Sequence, residues 1–376
     1  KGGAQKSTLL LANALQENGA EVVISSTKEY PKISTDVFSE YPLPAVFFQK
    51  SSLAPFLQKV IEKNKIDHVS AQDRLTSFGA VLAAKKKSVP ASVVFRDYWF
   101  ACTKSTCLKP NLTECTCSLQ DIMESNPFYR IPWEYFKISY IKNNLHLFES
   151  VKKIAVSNAV KKKLLENSLN EPISVIPNIV DFKEPKNQVD IRKKFGINGK
   201  IILFVGRFSY EKGIFHLLSA AKEVVLQKKD AFFLFVGEGP LLEEAKKTVA
   251  GIGIEKNVFF AGNVSFDDVT DYYFQSDVVV VPSFMESFGR TAIEAFAAKK
   301  PVISSGAHGL ADIVDDWQNG FLADPKKTNK WSELILKLLS DESLSKRFGE
   351  SGYKKAQKFF SANAVAKKFL NEIGEK

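Results

Sequence analysis

The chain predicts an α/β fold of two tandem doubly wound halves, each a parallel sheet wrapped by helices, and three observations carry that prediction. Its 376 residues exceed what one hydrophobic core fills, so about two domains are expected. From residue 20 to about 180, short β-rich runs alternate with longer helical patterns. From residue 199 the alternation restarts with runs that are apolar almost throughout, as strands buried on both faces of a parallel sheet require.

The opening KGGAQKSTLLL begins inside a βα loop. Gln5 stands where a P-loop carries the glycine before its lysine, so the stretch is not a Walker motif. Leu9, Leu10, Ala12 and Leu15, stopped by Gly19 and followed by Val22-Val23-Ile24, read as helix and then strand. The strand that should precede the loop is missing, and the chain reads as trimmed. Gly2-Gly3 at the helix entrance is suited to a phosphate through exposed amides and the helix dipole.

Strands are expected at Val22–Ser25, His68–Ser70, Val93–Phe95, Ile154–Val156 and Ile173–Ile176 in the first half. In the second half they are expected at Ile201–Val205, Phe232–Val236, Val258–Ala261, Val278–Val281 and Pro301–Ser304. The polar, proline-punctuated Asp181–Asn187 reads as the linker. In open α/β sheets ligands sit at the carboxyl ends of the strands, so the natural site is a cleft between the two sheets.

Composition narrows the function. Hydrophobic residues make up 45% and charged residues 25%, ordinary globular values, and no apolar run reaches the ~18–20 residues of a membrane span. The chain is expected to be soluble and cytoplasmic, at most peripheral on a membrane. A net charge of +10 invites a nucleic-acid reading, but only 7 of the 52 basic residues are arginine and the lysines are scattered in short runs. Arginine is the residue favoured for bidentate phosphate and base contacts, so no nucleic-acid partner is expected. Anionic lipid or a phosphorylated substrate suits the charge better.

All four cysteines fall in CTKSTCLKPNLTECTC, as Cys102, Cys107, Cys115 and Cys117. Neither half has the C-x-x-C spacing usual in a structural zinc site. Reduced thiols or a local disulfide is the favoured reading, with a structural metal as the alternative.

Each chemical motif follows a strand. Gly206 permits close backbone approach, and Arg207 and Lys212 would place two cations near one point, suited to a diphosphate. The blander reading is a charged surface loop. Gly237-Glu238-Gly239-Pro240 follows the next strand and says little alone. In PSFMESFGRTAIEAFAAKKPVIS, Glu286 sits after a buried strand, and Ser287-Phe288-Gly289 is expected to start a helix carrying Glu294 about two turns on. Helix-entrance amides there would bind hydroxyls or an oxyanion, and Glu294 would take ribose hydroxyls. The alternative is that both acids merely favour the helix dipole.

At this point the sequence resembles the family 4 glycosyltransferases of the GT-B fold, which have two Rossmann-like domains facing a cleft. The family's E-x7-E signature matches Glu286 to Glu294. The GR…EKG, VGEGP, PS-x-x-E-S-F-G, PVI-x-S and IPNIVD segments match in order over nearly the whole chain. The resemblance implies an acceptor domain at 1–182, a nucleotide-sugar domain at 183–355, and a helix at 356–376 packing back on the first domain. It implies Arg207 and Lys212 on the donor diphosphate, Glu286 on the sugar, Glu294 on the ribose and the backbone near Val264 on the base, with Gly3 facing the diphosphate. Gly206, Gly237, Ser287, Phe288 and Gly289 complete the donor site.

Two departures stand out. Phe95-Arg96-Asp97 replaces the family's frequent His-Asp, so an acceptor-side role shifts to Asp97 or to the donor phosphate. Lys299 and Lys300 stand where the family has glycine, behind the site. Trp133, Phe136, Tyr140 and Ile141 recur at helical spacing; core packing is the favoured reading and an interfacial helix the alternative.

The activity so implied is retaining hexosyl transfer from a UDP- or GDP-sugar to a glycan or lipid-linked acceptor hydroxyl, in polysaccharide or glycolipid biosynthesis. Front-face attack with the leaving phosphate taking the proton is expected, and domain closure would exclude water. No D-x-D motif is present, so neither a metal nor any other cofactor is expected in catalysis. An epimerase of the same architecture would isomerise donor alone. A non-catalytic lipid- or nucleic-acid-binding module would show salt-sensitive capture without donor hydrolysis.

Overall fold

The computed structural model describes residues 3–26, 34–37, 45–74, 76–182, 184–185, 189–265 and 267–374. Gly2, and Lys183, Lys186 and Asn187 of the expected linker, lie outside the described residues. The chain divides into two compact units, Lys1–Ile179 with Ala362–Lys376, and Val180–Ser361.

In the first unit, helix α1 (Gly3–Glu17) leads to strands β1 (Val23–Ser26) and β2 (Ser34–Val37), which pair in parallel. Helix α2 (Ala45–Asn64) then precedes β3 (Val69–Ala71), α3 (Ser77–Lys86) and β4 (Ala91–Phe95). A long connection carries α4 (Leu119–Ser125) and α5 (Ile131–Asn144) before β5 (Lys152–Ala155), α6 (Asn158–Glu166) and β6 (Ile173–Val175). Strands β3 to β6 form a parallel sheet in sequence order, and β4 is buried at every position. Two helices here start on serines that cap them. Ser118 Oγ accepts from the Asp121 amide at 3.2 Å, and Ser157 Oγ from the Val160 amide at 3.1 Å.

The second unit holds α7 (Ile191–Phe195), β7 (Lys200–Val205), α8 (Ile214–Gln227), β8 (Ala231–Val236), α9 (Leu242–Ile252) and β9 (Val258–Gly262). The chain continues through α10 (Val269–Gln275), β10 (Val278–Val281), α11 (Arg290–Ala297), β11 (Val302–Ser304), β12 (Gly320–Leu322), α12 (Thr328–Ser340) and α13 (Glu342–Phe360). After Ser361, α14 (Ala362–Ile373) belongs to the first unit, where it packs on α1 and the Lys152 ammonium donates to the Glu372 carbonyl.

The second sheet runs β12-β11-β10-β7-β8-β9, all parallel. Counted from β7 as the first strand, that is the 3-2-1-4-5-6 order of a Rossmann sheet. Phe204, Phe208, Phe233 and Phe235 with α8 and α12 fill one face of it.

Both units are therefore α/β with parallel, Rossmann-like sheets. Strands β2 and β12 escaped the sequence reading: Ser-Thr-Asp-Val is too polar to stand out, and Gly-Phe-Leu is too short. Among the described residues no helix is long and apolar enough to cross a membrane.

Candidate functional site

In the second sheet β8 and β9 lie on one side of β7 and β10 to β12 on the other, so the βα connections diverge between β7 and β10. That divergence opens a crevice at the carboxyl ends of the strands, where ligands bind in folds of this kind. Close backbone approach shapes its walls. A Cβ on Gly237 (φ +130°) would sit 2.0 Å from the Gly206 carbonyl oxygen, and one on Gly239 would sit 2.4 Å from that of Phe208. The Phe208 amide donates to the Glu238 carbonyl at 2.9 Å, which ties the loop after β7 to the loop after β8.

A charge pair crosses the divergence. Lys212, in the loop after β7, donates to Glu286, in the loop after β10, with Nζ to Oε2 at 2.6 Å, and both side chains keep about a fifth of their surface open. Burial alone would lower the Lys212 pKa, but the Glu286 carboxylate outweighs it and holds the ammonium above its ordinary value. The backbones beneath are fixed as well: the Phe284 amide donates to the Glu211 carbonyl at 2.7 Å, and the Gly309 amide to the Glu286 carbonyl at 2.9 Å. Arg207 is different. It is exposed and makes no ion pair among the described residues, so its guanidinium is the one of the two expected cations left open to a ligand.

Glu294 is buried deeper than a surface acid would be. Its Oε1 accepts from Arg290 Nη2 at 2.7 Å and its Oε2 from the Tyr273 hydroxyl at 3.0 Å. Burial, and then the Glu294 charge, push the Tyr273 phenol well above its ordinary pKa, so it stays a hydrogen-bond donor. Neither partner was anticipated. Arg290 stands four residues before Glu294, a helical pairing legible in the sequence, whereas nothing local points from Tyr273 to the site.

The remaining expected residues are placed as follows. Ser287, Phe288 and Gly289 precede α11 and do not open it: the helix begins at Arg290, because Gly289 at φ +113° lies outside helical space. A Cβ there would meet Leu310 at 2.5 Å. Phe288 is buried, edge-on to Phe360. Val264 lies half-buried just past β9. In the first unit Gly3 is exposed at the start of α1.

Asp97 Oδ1 accepts from the Trp99 amide at 2.9 Å, which pins a turn, and burial raises its carboxyl above the ordinary value. Arg96 donates through Nη2 to Gln72 Oε1 at 2.6 Å and through Nη1 to Asn178. In place of a histidine it thus ties the strand exit to the IPNIVD segment. Lys299 adopts φ +56°, a conformation suited to the glycine it replaces, with its ammonium over the Tyr353 ring at 4.9 Å.

Comparison with known proteins follows the division into halves. The family model for glycosyl transferases group 1 matches residues 187–355, and the model for glycosyltransferase family 4 matches residues 1–184. An uncharacterized glycosyltransferase of Methanocaldococcus jannaschii is 36% identical over 210 residues, 56% of each chain. The 2-deoxystreptamine glucosyltransferase of Streptomyces kanamyceticus is 32% identical over 176 residues, covering 45% of this chain and 46% of its own. The chain thus spans only about half the length of such curated relatives.

Among solved structures, Anabaena HepE in complex with UDP and glucose superposes with a TM-score of 0.76 at 18% identity, covering 100% of this chain and 96% of that one. A glycosyltransferase from Rickettsia africae gives 0.77 at 23% identity, covering 100% and 95%. At these identities the likeness establishes the shared fold, that of GT-B proteins.

Two glycines with nearly equal backbone angles separate conformation from close approach. Gly213 (φ +69°) would place a Cβ 2.1 Å from the Pro282 carbonyl oxygen, whereas Gly196 (φ +64°) has nothing within 4 Å. Alanine at 196 is expected to cost the ~1–2 kcal/mol of left-handed backbone alone. Alanine at 213 should cost clearly more, because the loops after β7 and β10 must separate. Chemical denaturation of both variants checks this, and equal losses would show that the close approach is not required.

Proposed function

The chain belongs to the family 4 glycosyltransferases, and from that premise we propose that it moves a sugar from a nucleotide-diphosphate sugar to an acceptor hydroxyl with retention of configuration. The observation that carries this reading is the Lys212–Glu286 pair across the strand divergence, with Glu294 held by two donors beneath the same rim. The relatives described above are named as glycosyltransferases, which favours transfer over the alternative chemistry, epimerisation of the donor.

The donor diphosphate is assigned to Arg207, which is exposed, and to Lys212, which stays charged. Glu286 accepts from the sugar hydroxyls. Glu294, oriented by Arg290 and Tyr273, is the carboxylate assigned to the ribose diol, since a carboxylate offers about four acceptor positions. As the bond from the anomeric carbon to the diphosphate breaks, negative charge grows on the phosphate and positive charge on the ring. The acceptor oxygen attacks from the same face, and its proton passes to the leaving phosphate oxygen. Arg207 and Lys212 stabilise that charge in place of a divalent ion, a role consistent with the lack of a D-x-D motif. The donor is a UDP- or GDP-sugar, supported by the UDP and glucose named for Anabaena HepE.

The acceptor is a glycan or a lipid-linked hydroxyl taken by the first unit, which meets an anionic membrane surface through α5 and the turn before it. Phe128 (83% exposed), Tyr129 (71%), Phe136 (51%) and Trp133 (41%) face solvent there, with Arg130 and Lys142 exposed among them. Core packing, the favoured sequence reading, holds for Ile141 but not for Trp133 or Phe136. Large aromatics beside cations suit the headgroup layer.

Removing one ionised donor from a developing charge typically lowers kcat by ~10²–10³. Arg207→Ala should therefore lose about that factor, Arg207→Lys should be rescued only in part, and transfer should persist in excess EDTA. Activity that is lost on chelation and restored by Mg²⁺ or Mn²⁺ would overturn the metal-free account.

The two glutamates should separate by phenotype. Glu286→Gln is expected to abolish transfer while nucleotide affinity survives, and Glu294→Gln to weaken UDP or GDP binding by isothermal titration. Swapped phenotypes would reverse the assignment. Phe136→Ser with Trp133→Ser should abolish flotation with anionic vesicles but leave transfer to a soluble acceptor intact. Equal flotation of the native chain with neutral and anionic vesicles would remove the membrane reading.

A further inference from the structure

Between β4 and α4 the chain runs for 23 residues, 96–118, without a helix or strand of its own beyond a single antiparallel bridge between Leu108 and Glu114. Loops of this length inside a compact domain need something to hold them. Tyr98 to Ala101 are anchored in the aromatic core of the first unit, where Trp99 stacks on Phe95. From residue 102 to residue 118, however, the buried residues are Cys102, Cys107, Leu108, Cys115 and Cys117. The loop has almost no interior except sulfur.

Three of the four sulfurs converge. The Sγ atoms of Cys102, Cys115 and Cys117 lie within 4.8 Å of one another, and Cys107, the fourth buried cysteine of the loop, is joined to Cys115 through the backbone. All four are free thiols, and Cys115 and Cys117 stand 3.5 Å apart, far from the ~2.05 Å of a disulfide. A zinc tetrahedron with ~2.3 Å bonds has sulfur–sulfur edges of about 3.8 Å, and the separations among Cys102, Cys115 and Cys117, all within 4.8 Å, are close to that. The backbone has paid for this convergence, since Cys107 (φ +51°) and Cys117 (φ +53°) both adopt left-handed conformations.

The surroundings suit thiolates. The Cys117 amide donates to Cys115 Sγ at 3.3 Å. The Cys115 amide closes the hairpin on the Cys107 carbonyl at 2.7 Å. Lys163 places its charge near Cys107, where it offsets an anionic centre.

We propose that Cys102, Cys107, Cys115 and Cys117 form a tetrathiolate site for one zinc ion, which closes the loop between β4 and α4. As each sulfur takes the metal, its proton leaves to solvent, and the binding free energy becomes stability of the loop. The C-x4-C-x7-C-x-C spacing hides the site from sequence inspection, because the tetrahedron is assembled by the bridge and the two left-handed turns.

The test is metal analysis of the whole chain, purified without a polyhistidine tag. One zinc per chain should survive gel filtration and be released when an organomercurial blocks the thiols. The cobalt-substituted chain should show thiolate-to-metal charge transfer in the near ultraviolet, and Cys102→Ser and Cys115→Ser should each lose the metal. The native stoichiometry and the cobalt spectrum stand even if those variants fold poorly. A metal-free chain whose thiols all react with a thiol reagent after incubation with zinc would overturn the proposal. So would two disulfides by mass, or iron with inorganic sulfide in place of zinc. None of these readouts depends on sugar transfer, so this proposal and the catalytic one fail separately.

Discussion

Everything at the candidate site depends on the divergence of connections between β7 and β10. Parallel strands must be joined by crossovers, and a sheet that winds outward in both directions from β7 leaves one place where neighbouring loops lead away from each other. Lys212 and Glu286 span that place. The glycines that let loop backbones touch, Gly213 against Pro282 and Gly237 against Gly206, keep the rim narrow enough for the pair to form. Positive charge therefore stands at the mouth of the crevice in Arg207 and Lys212, with the carboxylates of Glu286 and Glu294 beside it. Under the function proposed above, the cations would face the anionic diphosphate and the carboxylates the sugar hydroxyls.

The Lys212–Glu286 pair also shows why a list of roles differs from a geometry. Read separately, Lys212 serves a phosphate and Glu286 a sugar. In the folded chain each is the other's partner, so a ligand must share them or rearrange them. Glu294 is likewise a node, accepting from both Arg290 and Tyr273 within the folded chain. Such pre-paired groups cost little to keep in a partly buried site and are already oriented when a ligand enters.

The first unit solves a different problem. Its sheet is short and its longest connection has little apolar interior, so that connection relies on anchors: the aromatic cluster around Trp99, the Asp97 turn and the buried cysteines, three of whose sulfurs converge. The aromatic residues beyond α4 face outward where helical spacing alone suggested burial. Spacing specifies that residues share a helix face; it does not specify whether that face meets protein or solvent.

The sequence by itself determined the α/β class, the restart near residue 199 and ten strands to within a residue or two, because buried parallel strands must be apolar and loops must carry glycine and polar residues. It also placed Arg207, Lys212, Glu286 and Glu294 after strands, through ordered motifs that local composition makes visible. The tertiary structure alone decided which of these meet: that Lys212 is taken by Glu286 while Arg207 stays open, that Tyr273 supports Glu294, that Arg96 ties Asn178, and that the unevenly spaced Cys102, Cys115 and Cys117 share one point. Local patterns follow from side-chain periodicity over a few residues. The meetings follow from strand order and backbone turns that bring together residues up to 82 positions apart, and no local pattern encodes that distance.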